Sequence, residues 1–499
     1  MSSRSFDISV GTAKRSIVSV TGYPVFDNKI TFLFGESGIG KSVISKALYG
    51  FLVGTELQIS INNQSYGIHL ESPWTKAVRR NSFFVFQEPS SHLNPLLTVR
   101  EQLNEGSLAG IPEEKILSRL WQTISDDNLR KLLDVYPKPY RPSGGEKQRI
   151  LLAMAFKRID AWIASGASDE STYFVFDEPT GSLDNTYRNL FLQLLLEKFR
   201  TRSFTILIIT HDYSIISEIY QRHRDLIDRV RFKELSRVKD TGVIVRDFSA
   251  DDYLNWLDTP RIQQKIISDT KPVLEVQPRF SIFGRHLAIY ADGDRTRLQP
   301  LRIHKGEMVY LKAPSGIGKT TLAKIIMGIY HADDFSMALD GISITHRSPV
   351  SLWASSIWGK RAGMVFQHAD ESLNLASTVR ETFKGLPLKR RFSAEDLTSH
   401  LMELFDRPIS DIFLKKKVAY LSGGQKQRLN LLRSLVLGTS LIILDEPLNG
   451  LDFTSVKKVL NLLDEKRASG SALLMISHNE EIFEHFIGEE NIYYLGVTA

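Results

Sequence analysis

The stretches GESGIGKS at 35–42 and APSGIGKT at 313–320 have the residue types and spacing of a phosphate cradle. Each follows an apolar β-type run and opens a helix-period stretch, the setting in which G-x-x-x-x-G-K-[ST] acquires a mechanism. Gly35, Gly38 and Gly40 let backbone N–H groups turn inward and approach oxygens that a Cβ would hold off. Glu36, Ser37 and Ile39 complete the loop, and a helix opening at Lys41 adds its positive dipole end. Lys41 is placed to reach the β- and γ-phosphates, and the Ser42 hydroxyl to ligate Mg²⁺. In the second stretch Ala313 replaces the first glycine and Pro314 follows it. Ser315, Gly316, Ile317, Gly318, Lys319, Thr320 and Thr321 keep the remainder of the cradle. Alanine costs little there unless the backbone needs a positive φ.

Acids that could act on a bound phosphate come later in the chain. Tyr173–Phe176 and Leu441–Leu444 are continuous apolar runs, as in strands buried on both faces, and each ends in Asp-Glu-Pro. Asp177 and Asp445 suit the metal's outer shell, whereas Glu178 and Glu446 suit polarising an attacking water. Helix capping by a lone Asp is the plain alternative, but it does not explain DEP followed by LD in both places. The sequence SGG at 143–145 and again at 422–424, at a helix start, would make a second anion cradle.

These elements are arranged as a duplication. Five landmarks recur in order, at offsets of 278 (Lys41 and Lys319), 280 (Gln87 and Gln367), 279 (Ser143 and Ser422), 268 (Glu178 and Glu446) and 267 (His211 and His478). The drop from 279 to 268 places 11 extra residues in the first half near IDAWIASGASDEST, which reads as a longer surface loop. Each half alternates β-type runs with helix-period stretches, predicting an α/β fold with a mostly parallel core sheet. The expected organisation is a first domain at 1–248, a linker with a short helical pattern at 249–272, and a second domain at 273–499.

Composition narrows the chemistry. The 499 residues contain no cysteine, which excludes disulfides, iron–sulfur clusters, Cys-ligated zinc and Cys nucleophiles. A net charge of +6 is a mild excess that permits an acidic membrane surface and does not demand nucleic acid. The first residues show no signal-peptide core, and no stretch reaches the roughly 18 apolar residues of a membrane span. The expectation is a soluble chain whose membrane role, if any, comes through a partner.

With both phosphate loops, both acid pairs and both SGG starts in this order, the sequence resembles the nucleotide-binding subunits of ABC transporters over nearly its whole length. The resemblance implies two tandem P-loop ATPase domains, each with a helical subdomain, that bind ATP and Mg²⁺ and hydrolyse ATP. It makes Gln87 and Gln367 metal- and water-contacting glutamines, and His211 and His478 switch histidines acting with Glu178 and Glu446. It makes Ser143, Gly144 and Gly145, and Ser422, Gly423, Gly424 and Gln425, signature residues that complete the opposite site in a head-to-tail pair. Asp184 and Asp452 fall on the loop after the acids. One composite site would join Lys41, Glu178 and His211 to LSGGQ at 421–425. The other would join Lys319, Glu446 and His478 to PSGGE at 142–146, with Ala313, Pro142 and Glu146 as departures. An adenine-stacking aromatic is implied upstream of each loop; Phe6 and Phe283 have near that spacing, and an ordinary strand aromatic is equally consistent with both.

FVFQEPSSHLNPLLTV around Gln87 looks like the corresponding segment of oligopeptide, dipeptide and nickel importer ATPases, with His92 in place of a serine. That likeness implies two permease subunits, an extracytoplasmic substrate-binding protein, no nucleic acid, and a peripheral position on the cytoplasmic face of the membrane. The missing cysteines argue against the iron–sulfur tail of many such importers. Tandem sugar-importer ATPases and soluble tandem ABC proteins acting on ribosomes are the alternatives. The basic clusters Lys389–Arg391 and Lys415–Lys417 read as solvated helix surface or as a contact with anionic lipid.

Overall fold

The computed structural model describes residues 3–54, 56–108, 110–121, 126–135, 142–166, 171–181, 185–238, 242–259, 271–314, 316–388, 393–405 and 409–498. The chain divides into two compact units, Met1–Tyr253 and Leu254–Ala499.

In the first unit the apolar runs ITFLFG, FVFD and ILII are strands whose residues are all buried, as the lack of alternation requires. They lie in a parallel set ordered Phe84–Val85, Phe174–Asp177, Ile206–Ile209, Ile30–Gly35 and Val230–Val238. Gly242–Asp247 returns antiparallel to the last of these and joins Arg15–Phe26, Ser3–Thr12, Leu57–Ile61 and Gln64–Ser65, giving one ten-stranded sheet.

The second unit repeats the parallel order with Ala362–Val365, Leu441–Asp445, Ala472–Ile476, Met308–Lys312 and Ile492–Val497. Two antiparallel strands, Arg285–Tyr290 and Arg279–Ile282, complete that sheet. The remaining strands form a separate four-stranded antiparallel sheet. The fold class is therefore the α/β arrangement that the alternation of runs predicts. All five parallel strands of a unit point their C-terminal ends the same way, which is where such sheets gather their ligand-binding loops.

Between the first two of these parallel strands each unit inserts helices, including Val99–Leu103 and Glu114–Trp121 in the first and Ala394–Leu404 in the second. The helix after the signature differs in length, with 22 residues in Gly144–Ser165 and 13 in Gly423–Leu435. This corrects the reading of the extra residues as a surface loop. Ile159 and Trp162 continue the buried face of that helix, and the Arg202 guanidinium packs 3.7 Å from the Trp162 ring centre. A continued apolar stripe favours helix over loop despite the small polar residues that follow. The short helical pattern expected after Phe248 is the helix Ala250–Asp258.

Candidate active site

Each glycine loop is a sharp turn between a core strand and a helix. Gly35, Gly38 and Gly40 have φ of 135°, 78° and 115°, and Gly316 and Gly318 have 79° and 126°. At Gly35 a Cβ would stand 2.7 Å from the Leu235 carbonyl oxygen, and at Gly40 2.8 Å from a Val18 methyl. Ala313, which stands where the first loop has Gly35, is absent from the described non-glycine residues with positive φ. The second loop has therefore taken a path that accepts a Cβ. Lys41 and Lys319, both buried, start their helices and donate to the carbonyls of Gly35 and Ala313, the first residue of each loop. Ser315 lies outside the described residues.

Parallel pairing brings the acids beside the loops. Asp177 pairs with Ile209 and Asp445 with Ile476, and the next amides, Glu178 and Glu446, donate to those same partners at 2.9 and 2.8 Å. Asp177 and Asp445 are each 1% exposed. Asp177 keeps an unpartnered Oδ1, and neither Asp445 oxygen completes a hydrogen bond among the described residues. Burial pushes both carboxyls up to about 6, with the Ser42 and Thr320 hydroxyls respectively easing the shift. An unpaired buried carboxylate beside a helix-terminal hydroxyl is a donor set that fits a hard divalent cation. Gln87 and Gln367 leave the sheet two residues beyond the strands Phe84–Val85 and Ala362–Val365, which pair with the acid strands.

Glu178 and Glu446 share an uncommon backbone, with φ of 50° and 51°. Non-glycine residues held there store strain that the surrounding structure must enforce. Their side chains diverge. The Glu178 carboxylate meets His211 Nδ1 at 2.6 Å, whereas Glu446 lies 3.5 Å from His478 Nε2 and accepts instead from Ser477 Oγ at 2.9 Å. Burial raises Glu178, but the charge and hydrogen bond of His211 outweigh it and hold the group below the usual range. The same contact raises His211 against the opposing effect of burial. Glu446, only 5% exposed, is pushed up to about 7 by burial, which Ser477 and a backbone bond offset only in part.

The signature residues open helices as expected. Ser143 and Ser422 are N-caps, and each closes a capping box with the residue after the second glycine. Glu146 Oε2 accepts from the Ser143 amide at 2.7 Å, and Gln425 Oε1 from the Ser422 amide at 3.2 Å. The first cradle thus carries a formal negative charge that the second does not. Gly144 and Gly423 are exposed at these ends. Asp452 caps the helix Phe453–Ala468, while Asp184 lies outside the described residues.

Several contributors escape motif reading. Arg188 bonds Asp212 at 2.8 Å, tying the helix Asn185–Thr201 to the residue after His211. The second half has Val456 and Asn479 at those places. Gln427 bonds the Glu446 carbonyl at 3.3 Å. Comparing the two halves position by position would have flagged Arg188 and Asp212. Phe6 is not a base-stacking ring, because it is buried with its ring centre 5.2 Å from that of Trp74. Val18 and Leu287 pack equivalently beneath Gly40 and Gly318. Four residues before them stand Lys14 and Phe283, and Phe283 is 73% exposed.

Two glycine loops, two acid pairs and two capped SGG helices are thus gathered in matching order. The sequence profile described as ABC transporter matches residues 22–181 and 299–449. The chain belongs to this family. It is an ABC-type ATPase, and ABC domains bind ATP, normally with Mg²⁺. Among its relatives are the glutathione import ATP-binding proteins GsiA of Shigella dysenteriae serotype 1 (strain Sd197) and Escherichia coli (strain K12). Each is 26% identical over 521 residues, covering 93% of this chain and 79% of the relative. Among solved structures the chain is similar to an RNase-L inhibitor (17% identity, TM-score 0.61, 98% of this chain and 89% of the other). It is likewise similar to an archaeal ribosome recycling factor solved with a ribosomal stalk protein (18% identity, TM-score 0.61, 96% and 87%). At those identities the ABC fold is what is shared. No helix among the described residues is long and apolar enough to cross a membrane.

Proposed function

We propose that this ABC ATPase binds two MgATP at head-to-tail composite sites and powers import through separate permease subunits, with peptide-like or metal-complex cargo. The single observation that carries the ATP sites is the twofold convergence of glycine loop, buried Asp and strained Glu at the C-terminal edge of a parallel sheet. The importer reading is supported by the two GsiA relatives, named for glutathione import, and by the FQEP segment around Gln87.

In this reading the loops 35–42 and 313–320 and the signature helices bind the phosphates through backbone N–H groups, and Lys41 and Lys319 leave their loop carbonyls to do so. Bound Mg²⁺ would offset phosphate charge, held by Ser42, Asp177 and Gln87 in one site and by Thr320, Asp445 and Gln367 in the other. Glu178 and Glu446 orient water and accept its proton, and His211 and His478 hold the γ-phosphate side of the site. Phe283 is the exposed ring that could stack on adenine in the second unit. The first site has an ionised Glu178 and an uncharged LSGGQ partner. The second has a Glu446 half protonated near neutrality and an acidic PSGGE partner. Site one is therefore the stronger ATPase.

Affinity purification from solubilised membranes tests the assignment. Recovery of two permease polypeptides supports it, and co-migration with ribosomes in place of a permease would refute it. Glu178→Gln should remove more MgATP turnover than Glu446→Gln; equal losses, or a larger loss from the second, would refute the ranking of the sites.

A further inference from the structure

Each of the three glycines in the first phosphate loop meets a residue of a neighbouring strand. Leu235 stands against Gly35, and Val18 against Gly40. Two residues beyond Leu235, the Arg237 guanidinium donates to the Gly38 carbonyl at 3.4 Å. Alternation along Val230–Val238 puts Arg237 on the same face of the sheet as Leu235. The bond is long and the side chain exposed, so little holds it on that carbonyl. Among the described residues no ion pair engages it.

Strand register carries the comparison to the second unit. Phe34, one residue before Gly35, pairs with Glu234, and Lys312, one residue before Ala313, pairs with Tyr494. The place of Arg237 is therefore taken by Val497, which is 48% exposed. The hairpins beside the loops differ in the same sense. Their tips are Ala13–Lys14, between Thr12 and Arg15, and Phe283–Gly284, between Ile282 and Arg285. Arg15 and Arg285 close the two alike, but exposed Lys14 stands where the second unit presents Phe283.

A nucleotide seated in a glycine loop leaves ribose and base outside the cradle, within reach of the flanking side chains. Beside the second loop those are an aromatic ring and an apolar side chain, a surface that gains from covering a base. Beside the first they are cations, which answer phosphate and ribose oxygens whatever the base. We propose that Arg237 is a nucleotide-contacting residue of the first site, its guanidinium leaving the Gly38 carbonyl for the α-phosphate and ribose of the bound nucleotide. The first site consequently takes nucleoside triphosphates with little regard to base. The second favours purines, whose larger rings cover more of Phe283. The inference rests on the reading of loops 35–42 and 313–320 as two nucleotide sites, and names what separates their ligands.

Photolabelling of the purified full chain with 8-azido-ATP, followed by peptide mapping, reads the two units separately. The measured quantity is the concentration of unlabelled MgATP or MgCTP that halves the label in each unit. In the first unit the two concentrations should agree within about threefold, whereas the second should need about tenfold more MgCTP than MgATP. Arg237→Ala should raise both concentrations about fivefold in the first unit and weaken their salt dependence, with the second unit as internal reference. A side chain that only held the loop carbonyl would not change the salt dependence. Val497→Arg should lower the MgCTP needed at the second unit about threefold, and it decides the matter if Arg237→Ala does not fold. A first unit that rejects MgCTP as strongly as the second overturns the proposal. So does protection there that is indifferent to Arg237, MgCTP protection unmoved by Val497→Arg, or label confined to the second unit. In each of those cases the nucleotide-site reading of at least one loop still stands. Label in neither unit overturns that reading together with the proposal.

Discussion

The divergence of Glu178 and Glu446 makes the pH dependence of the two sites opposite in form. Glu446 titrates near 7, so it is ionised to about one tenth at pH 6, about half at pH 7 and about nine tenths at pH 8. Turnover that relies on Glu446 as the proton acceptor should therefore rise roughly tenfold from pH 6 to pH 8. Glu178 sits below its ordinary value and is ionised throughout that window. Its partner His211, raised by the same contact, loses its proton only as the pH climbs, so turnover through this site is flat or falling. The assay is steady-state MgATP hydrolysis by the full chain across pH 6–8 for Glu178→Gln and Glu446→Gln. The residual rate of Glu178→Gln should climb, and that of Glu446→Gln should not. Parallel profiles in the two variants would refute the argument from burial and partner geometry. The same shift bears on stability. A carboxyl raised from 4.5 to about 7 binds its proton more tightly when folded, so stability is lost as pH rises from about 4.5 to 7 and then levels off. The loss amounts to about 3 kcal/mol. Glu446→Gln should remove that pH dependence, as read by denaturant unfolding at pH 5 and pH 8.

Other substitutions probe separate features. Gly35→Ala forces a Cβ into a φ of 135° and against the Leu235 carbonyl, so it should abolish fluorescent-ATP binding at the first loop, while Ala313→Gly should leave the second unchanged. Arg188→Ala leaves half-buried Asp212 without its cation, and should cost about 2 kcal/mol in thermal or denaturant unfolding, between the exposed and the fully buried case. Adding Asp212→Asn should recover part of that loss, and additive effects would argue against the pairing. Glu146→Gln removes a carboxylate from a helix N-terminus assigned to an anion. It should tighten ATP binding at low salt by a factor of a few, a gain that fades as salt is added.

Much of the architecture is readable without coordinates because it is written in short-range patterns. A run such as ILII, apolar at every position, can only be a strand covered on both faces, and SGG before a helix-period stretch can only be its start. The same logic misleads where local composition and tertiary packing disagree. IDAWIAS looks loop-like by its small residues, yet Ile159 and Trp162 complete a buried stripe and keep the helix going. Phe6 has the spacing of a stacking ring and is spent in the core, since spacing says nothing of which way a strand side chain faces.

The duplication, the order of the landmarks, and the placement of both glutamates at strand ends beside glycine loops follow from the amino-acid sequence alone, because each is a matter of residue type and backbone period. What distinguishes the two halves was decided only in three dimensions. Glu178 and Glu446 occupy identical motifs and nearly identical backbone conformations, but one closes on a histidine at 2.6 Å and the other turns to Ser477. Arg79 and Arg158 are 79 residues apart and share a groove, while their counterparts build an apolar one. Charge state and surface chemistry depend on which side chains distant segments bring within a few ångströms, and on how much water those segments leave.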